Sequence, residues 1–337
     1  MKENRHIWQK LNHSKFALAY EISERIARRQ WIEPSTFTDV RHSKEALVAC
    51  DFSGSHAAAN YEAFAFLIGA ISGSAKWMET RSTIRDRFLP NNRRMAYKSL
   101  NDAMRLRALP SFLNAANNFP ANLVVFLISK QINTLFADPG TPGFFPELVV
   151  AEHGWKKKSF QRLLLVASLG SLLVSCLSAP SQDILWVSDQ DEIAANAEKH
   201  NHAGHVIHHC ISRYAPDHQG LLVFLTTEAD LNTRQLEDIV AVPDLAAGAL
   251  VDALSHCDKL KRSSDERLWV PISSELPSKA RTILQWFSAS SLPLKRLVVV
   301  LDSVDDAIQV DTFIPVTQES LLYLPSEVTS NEVFLFR

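Results

Sequence analysis

Short apolar runs that stop at polar turn residues recur along the chain and predict β-strands. The clearest run covers residues 46–50, ends at Asp51 and is followed by Ser53, Gly54 and Ser55, residue types that terminate strands. The second run, residues 63–71, follows the first closely enough to pair with it as a β-hairpin. Its many alanines also fit a helix. Runs of the same kind predict strands over residues 63–71, 94–100, 123–128, 184–188, 221–226, 268–272 and 297–301.

Apolar residues spaced three or four apart predict helices between these strands. The segments with this spacing are 7–31, 75–88, 101–117, 146–178, the acidic stretch after Asp189, 245–253 and 278–288. Pro34 would end the first of them. Three early strands, followed by strands that alternate with helices, predict an α/β fold in which helices cover both faces of a mixed β-sheet.

The same order divides the chain into three predicted parts. Residues 1–43 form an N-terminal helical arm, residues 44–260 form the main α/β domain, and residues 261–337 form a C-terminal α/β extension. No convincing linker separates the extension from the main domain. The extension can therefore share the sheet of that domain.

The charge balance argues against a broad surface for nucleic acid. The 337 residues are 46% hydrophobic, enough to fill a sizeable core, and carry a formal net charge of -2. Binding to nucleic acid would therefore need a local basic patch. The clearest patch is Trp155–Lys158 with Arg162, which equally fits the solvated start of a helix.

Cysteine spacing and hydropathy favour a reduced, cytoplasmic protein. The four cysteines, at positions 50, 176, 210 and 257, form no CxxC pair, which argues against a disulfide framework and a cysteine-rich zinc site. The first residues lack the apolar core of a signal peptide. The most apolar run, 163–179, is shorter than a membrane span and contains several serines, so we expect a buried helix and no membrane partner.

Carboxylates follow two of the predicted strands. Asp51 ends the first, and Asp189 ends the strand at 184–188, with Asp191 just beyond it. Asp244 lies in the small-residue segment 242–249. Convergent carboxylates bind a hard cation such as Mg²⁺ or Mn²⁺, and a metal pair can activate water for phosphodiester cleavage. Equally, these acids can cap helices or turns, as Asp189 would if it preceded a helix.

Three short segments resemble one family. Asp51-Phe52-Ser53-Gly54-Ser55 resembles the Asp-Glu-Ser-Gly strand end of the domain-of-unknown-function 3800 family. Tyr97-Lys98-Ser99-Leu100 resembles its lysine-bearing strand, and Val242-Pro243-Asp244-Leu245-Ala246-Ala247-Gly248-Ala249 resembles its late Asp-Leu-Ile-Ala-Gly-Ala helix. The segments occur in the family's order across about residues 45–255. The resemblance implies a ribonuclease-H-like fold.

The resemblance also implies a metal-dependent phosphodiesterase or nuclease, with a role in bacterial defence. Asp51 and Asp189 would be metal ligands for Mg²⁺ or Mn²⁺, Asp191 and Asp244 would complete the set, and Lys98 would steer or stabilise phosphate. Because fold alone does not imply function, a catalytically degenerate module that binds protein or nucleic acid is the alternative.

Two departures from the family pattern bear on this choice. Phe52 replaces the usual Glu after the first Asp, and Ala96 and Tyr97 replace the acid expected before the lysine. Glu79 and Asp102 are the candidates to substitute for the missing acid.

The densest histidine cluster covers residues 200–209. His205 and His209 would share a helical face at a spacing that zinc sites use, although a polar, exposed helix face explains them as well. Should the cluster lie near Asp189, it could supply a general acid. The chain contains neither Gly-x-Ser-x-Gly nor the GxxxxGK[ST] and GxGxxG nucleotide-binding loops.

Overall fold

The structure is a computed structural model. The residues that it describes are 6–11, 17–90, 92–132, 135, 154–230, 233–255, 261–262, 267–269, 276–289, 293–304 and 307–316. The described strands are β1 (Glu45–Ser53), β2 (Tyr61–Ala70), β3 (Ala121–Ser129), β4 (Asp183–Ser188), β5 (Leu222–Thr226), β6 (Lys261–Arg262), β7 (Arg267–Trp269), β8 (Lys295–Val304) and β9 (Ala307–Val316). The described α-helices are α1 (Ala17–Ile32), α2 (Ala75–Phe88), α3 (Ala103–Ala116), α4 (Lys157–Leu177), α5 (Ala197–Tyr214), α6 (Gln235–Ser255) and α7 (Ser278–Phe287).

The strands form a mixed sheet in the order β5-β4-β1-β2-β3-β8-β9-β7-β6. β2 runs antiparallel to both β1 and β3, whereas β4 runs parallel to β1 and β5 runs parallel to β4. β8 pairs parallel with β3, and β9 pairs antiparallel with β8. The predicted α/β class with a mixed sheet is confirmed, and the C-terminal strands share this sheet.

Each face of the sheet packs against its own hydrophobic core. On β1, Val48 and Cys50 enter the core under α1, α4 and α5, while Leu47 and Ala49 enter the core under α2, α3, α6 and α7. β3 is buried at every position, as expected for a strand covered on both sides. Helices on both faces are therefore confirmed.

One predicted strand is wrong. Residues 94–100 join no strand: Tyr97–Ser99 form a 3₁₀ turn, and the carbonyls of Arg93 and Arg94 accept hydrogen bonds from arginine side chains. The third strand of the initial antiparallel group is instead β3, which the apolar run at 123–128 predicted.

The first helix is shorter than the helix predicted over residues 7–31. Residues 7–11 are not helical, and α1 begins at Ala17. The Trp8 backbone N–H donates to Gln30 Oε1 at 2.9 Å, and its indole N–H donates to the Ser23 carbonyl at 3.1 Å. These bonds fold the N-terminal stretch back onto α1, whose Leu18, Ile22 and Ile26 are buried in the core.

Two other helices begin later than predicted. Gly154, with φ +87°, precedes α4, so the predicted helix 146–178 is interrupted there, and residues 146–153 lie outside the described part. Turns and bends follow Asp189 until Asn196 accepts the Lys199 N–H and starts α5. Asp189 is therefore not a helix N-cap.

The helix around Asp244 begins ten residues earlier than predicted, at Gln235. The Asp230 carboxylate accepts the N–H of Leu236 at 2.8 Å and so satisfies the first turn of α6. Pro243 lies inside the helix. Asp244 is consequently held in the middle of a long, buried helix.

Among the described residues, α4 is the one helix long and apolar enough to cross a membrane. Its most apolar window is 83% buried inside the protein, between α1, α5 and the sheet. Burial of this kind is also typical of the core helix of a globular protein, which agrees with the predicted buried helix.

Candidate functional site

The parallel pairing of β1 and β4 brings two of the predicted acids to the same edge of the sheet. Cys50 pairs with Ser188, so Asp51 and Asp189 are the next residues on adjacent strands. Adjacent strands lie about 4.8 Å apart, and the carboxyl ends of parallel strands meet at one edge. Both side chains are partly exposed.

Asp244 reaches this edge from α6, which packs across β1 and β2. The backbone N–H of Tyr97 donates to Asp244 Oδ2 at 2.6 Å and so fixes the carboxyl group. Gly248, one turn later, permits this contact: a Cβ there would lie 2.3 Å from Cγ of Tyr97. The small-residue segment 242–249 therefore allows close packing at Gly248.

The carboxyl groups of Asp51 and Asp244 lie next to each other, because α6 packs across β1 at this point. Burial and the adjacent Asp244 raise the pKa of Asp51 well above its usual range, and Asp189 and Asp191 add to the effect. Burial also raises the pKa of Asp244, although the neighbouring Asp51 and the hydrogen bond from the Tyr97 N–H act in the opposite direction. Two such carboxyl groups need either a shared proton or a cation.

Asp189 is bound by a residue that the sequence analysis missed. The Arg94 guanidinium forms an ion pair with Asp189 Oδ2, while Oδ1 accepts the Thr227 hydroxyl at 2.8 Å and the Gln190 N–H at 2.9 Å. Residues 76–107 contain nine Lys or Arg and three Asp or Glu. This local excess of positive charge was the available indication of a basic group here.

Glu237 is a fourth acid on this side of the sheet. It lies two turns before Asp244 on α6, is 8% exposed, and its charge acts on Arg94. One carboxylate oxygen pairs with Arg234, whereas the other, Oε2, is buried with no hydrogen-bond partner in the described structure. Neither proposed substitute for the missing acid is at the Asp51–Asp244 pair: Glu79 is exposed on α2, and Asp102 caps α3.

The remaining predicted site residues lie at the margin. Asp191 accepts the Ile193 N–H at 2.8 Å, and burial raises the pKa of Asp191 to about 6. Lys98 is exposed in the turn after Ala96 and makes no described contact with an acid. The structure thus brings Asp51, Asp189 and Asp244 together, with Asp191 nearby.

Phe52 points to the opposite face, as its position next to Asp51 on a strand requires. The Arg162 guanidinium carbon lies 4.7 Å from the Phe52 ring centre. Arg162 also pairs with Glu62 and Glu192 and is 7% exposed. Phe52 therefore packs under a buried arginine, and the basic patch predicted at Trp155–Lys158 loses this arginine to its acidic partners.

The histidines of residues 200–209 lie on α5. His202 accepts the Trp155 indole N–H at 2.6 Å, and His200 stacks on Phe224. His205 is exposed on this helix. In the described parts of the chain, no three His, Cys, Asp or Glu side chains are arranged to hold a metal ion as they stand.

The donor chemistry at the Asp51–Asp244 pair nevertheless fits a hard divalent cation. The pair offers carboxylate oxygens, the ligands that Mg²⁺ and Mn²⁺ prefer, in a place where two acids would otherwise share a proton. Asp189 lies on the neighbouring strand and could join them once Arg94 releases it.

Comparison with known proteins found no matching family model, no matching curated protein and no matching solved structure. The resemblance to the domain-of-unknown-function 3800 family is therefore still a prediction.

Proposed function

We propose that the protein is a metal-dependent phosphodiesterase that cleaves nucleic acid, with a ribonuclease-H-like core. The observation that carries the proposal is the side-by-side placement of Asp51 and Asp244, with Asp189 on the adjacent parallel strand. The strand order β3-β2-β1-β4-β5, with β2 antiparallel, supports the ribonuclease-H-like part, because it is the order of that fold.

In this proposal Asp51 and Asp244 hold Mg²⁺ or Mn²⁺, with Asp189 as the third ligand and Asp191 beside them. The cation would activate water and stabilise the charge that develops on the phosphate oxygens. The Tyr97 N–H fixes the orientation of Asp244, and Thr227 fixes that of Asp189. The partly exposed edge of the sheet leaves the site open to a substrate in solution.

The experiment is a cleavage assay with labelled single-stranded DNA, double-stranded DNA and RNA, with and without Mn²⁺. We expect the wild-type protein to cleave at least one of them only with the cation, and Asp51→Asn and Asp244→Asn to abolish cleavage. Asp217→Asn is the matched control, because Asp217 is exposed in the turn that follows α5. Cleavage that persists in Asp51→Asn contradicts the proposal.

A degenerate module that binds protein or nucleic acid is the second candidate. The observation that favours it is the ion pair between Arg94 and Asp189, which neutralises one of the acids without a metal ligand role. This candidate predicts that the wild-type protein cleaves none of the three substrates and binds no Mn²⁺. A cytoplasmic location and a role in bacterial defence remain predictions of the sequence under either candidate.

A further inference from the structure

The backbone around Arg94 is anchored on both sides by other arginines. Arg85 Nη1 donates to the Arg93 carbonyl at 3.2 Å, and Arg105 Nε donates to the Arg94 carbonyl at 2.6 Å. Both anchors are themselves paired: Arg85 with Asp238, and Arg105 with Asp102. The loop between α2 and α3 therefore holds Arg94 in a fixed position although it forms no regular structure there.

The guanidinium that this loop presents is incompletely bonded. Its side chain is 39% exposed, and Asp189 is its one hydrogen-bond partner in the described structure. The Nε–H is buried without an acceptor. The donors that a ligand could reach are therefore those at the partly exposed end of the guanidinium, which carries more N–H groups than Asp189 uses.

The position of Arg94 restricts what that ligand can be. The charges of Asp189, Glu237 and Asp244 all act on it, so the guanidinium borders the acids that would hold a cation. A phosphate group that binds such a cation with one oxygen would have its other oxygens close to the Arg94 guanidinium. The planar guanidinium fork matches phosphate oxygens in pairs, which an exposed lysine such as Lys98 does not.

We propose that Arg94 binds a phosphate group of the nucleic-acid substrate and gives up Asp189 to do so. This inference rests on the proposed function and names the residue that recognises the substrate. Asp189 is then free for the cation, so the ion pair between Arg94 and Asp189 is the resting arrangement of the site. Arg94, rather than Lys98, is the phosphate-binding residue.

The test compares Arg94→Gln and Arg94→Lys with wild type, using the oligonucleotide that wild type cleaves at saturating Mn²⁺. We expect kcat/KM to fall by about 100-fold in Arg94→Gln, the size of effect seen when one donor to a developing negative charge is lost, and by less in Arg94→Lys. The matched control is Arg107→Gln, which removes the same charge from the exposed face of α3 and should change kcat/KM by no more than about twofold.

Mn²⁺ affinity, measured by electron paramagnetic resonance, distinguishes two roles of Arg94: binding the substrate phosphate, or only holding the acidic side chains in place. We expect Arg94→Gln to bind Mn²⁺ as tightly as wild type or more tightly, because Asp189 is released. Loss of Mn²⁺ binding in Arg94→Gln and Arg94→Lys would mean that Arg94 only supports the acids, and would overturn the inference. Wild-type kcat/KM in Arg94→Gln would overturn it too. Failure of the wild-type protein to cleave would instead refute the proposed function.

Discussion

Asp238 and Asp244 lie six residues apart on α6, about 9 Å along its axis, yet their surroundings are opposite. Asp238 is fully buried between two arginines, with Arg81 Nε at 2.7 Å and Arg85 Nε at 2.5 Å. Asp244 is partly exposed and borders a second carboxyl group, that of Asp51. One aspartate has more positive partners than it needs, and the other has too few.

The difference separates a structural cluster from a candidate site. The Asp238 cluster joins α2 to α6, and a cation could add nothing to it. At Asp244 the neighbouring group is another carboxyl group, and the nearby Arg94 pairs with Asp189; in the described structure no arginine forms an ion pair with Asp51 or Asp244. Such an arrangement is balanced either by a proton that the two carboxyl groups share or by a ligand that supplies positive charge, and the second case makes it a candidate site.

The largest expected effect is on the structural cluster. Asp238→Ala leaves Arg81 and Arg85 buried without their acid, so we expect the free energy of unfolding to fall by about 3–5 kcal/mol. Urea unfolding followed by circular dichroism measures it. Asp51→Asn is the comparison: removal of a charge beside Asp244 should leave stability equal or higher. A loss in Asp51→Asn as large as that in Asp238→Ala would erase the distinction between the clusters.

A second variant tests the support of the candidate site. In Gly248→Ala the new methyl group would lie 2.3 Å from Cγ of Tyr97, so Tyr97 must move and its N–H must leave Asp244. We expect a loss of about 1–3 kcal/mol in stability, together with weaker Mn²⁺ binding.

Gly204→Ala is the matched control for this helix glycine. Its methyl group would meet only Phe224, at 3.8 Å, so we expect a gain of about 0.5–1 kcal/mol from helix propensity. Normal stability of Gly248→Ala would show that the contact between Tyr97 and α6 is looser than described.

The smallest expected effect is in the pH dependence. Burial raises the pKa of Asp191 to about 6, above the value of about 3.9 for an unfolded chain, so the folded state binds the proton more tightly. Its stabilising contribution is complete below about pH 4 and is lost as the pH rises through 6.

Asp191→Asn should remove this dependence. Between pH 4 and pH 7.5, wild type should lose about 1–2 kcal/mol more stability than the variant, a figure reduced for the partial exposure of Asp191. Parallel stability curves for the two proteins would show that Asp191 titrates as an ordinary surface acid.

Apolar periodicity was sufficient to predict the central strands, because a strand buried on both faces, such as β3, is a continuous apolar run. β9 was missed, since Gln309 and Asp311 interrupt its apolar residues on the exposed side. The strand predicted at 94–100 failed because arginine side chains, rather than a neighbouring strand, satisfy its backbone carbonyls. No local pattern contains that information.

The sequence predicted the site residues that follow strands. It did not predict those whose role depends on contacts between side chains that are distant in sequence. Asp51 and Asp189 follow apolar runs, and parallel strands bring such ends together. The ion pair between Arg94 and Asp189 joins residues that are 95 positions apart. Glu237 lies before the part of α6 that the sequence predicted as a helix. Their roles emerged only from the packing of α6 and the loop after α2 onto the sheet.

Binding of Mn²⁺ at neutral pH, followed by electron paramagnetic resonance, tests most directly whether the Asp51–Asp244 pair is a cation site. We predict saturable binding to wild type and to Asp217→Asn, weakened at least about tenfold in both Asp51→Asn and Asp244→Asn. Equal Mn²⁺ affinity in all four proteins, or no binding to wild type, would contradict the account.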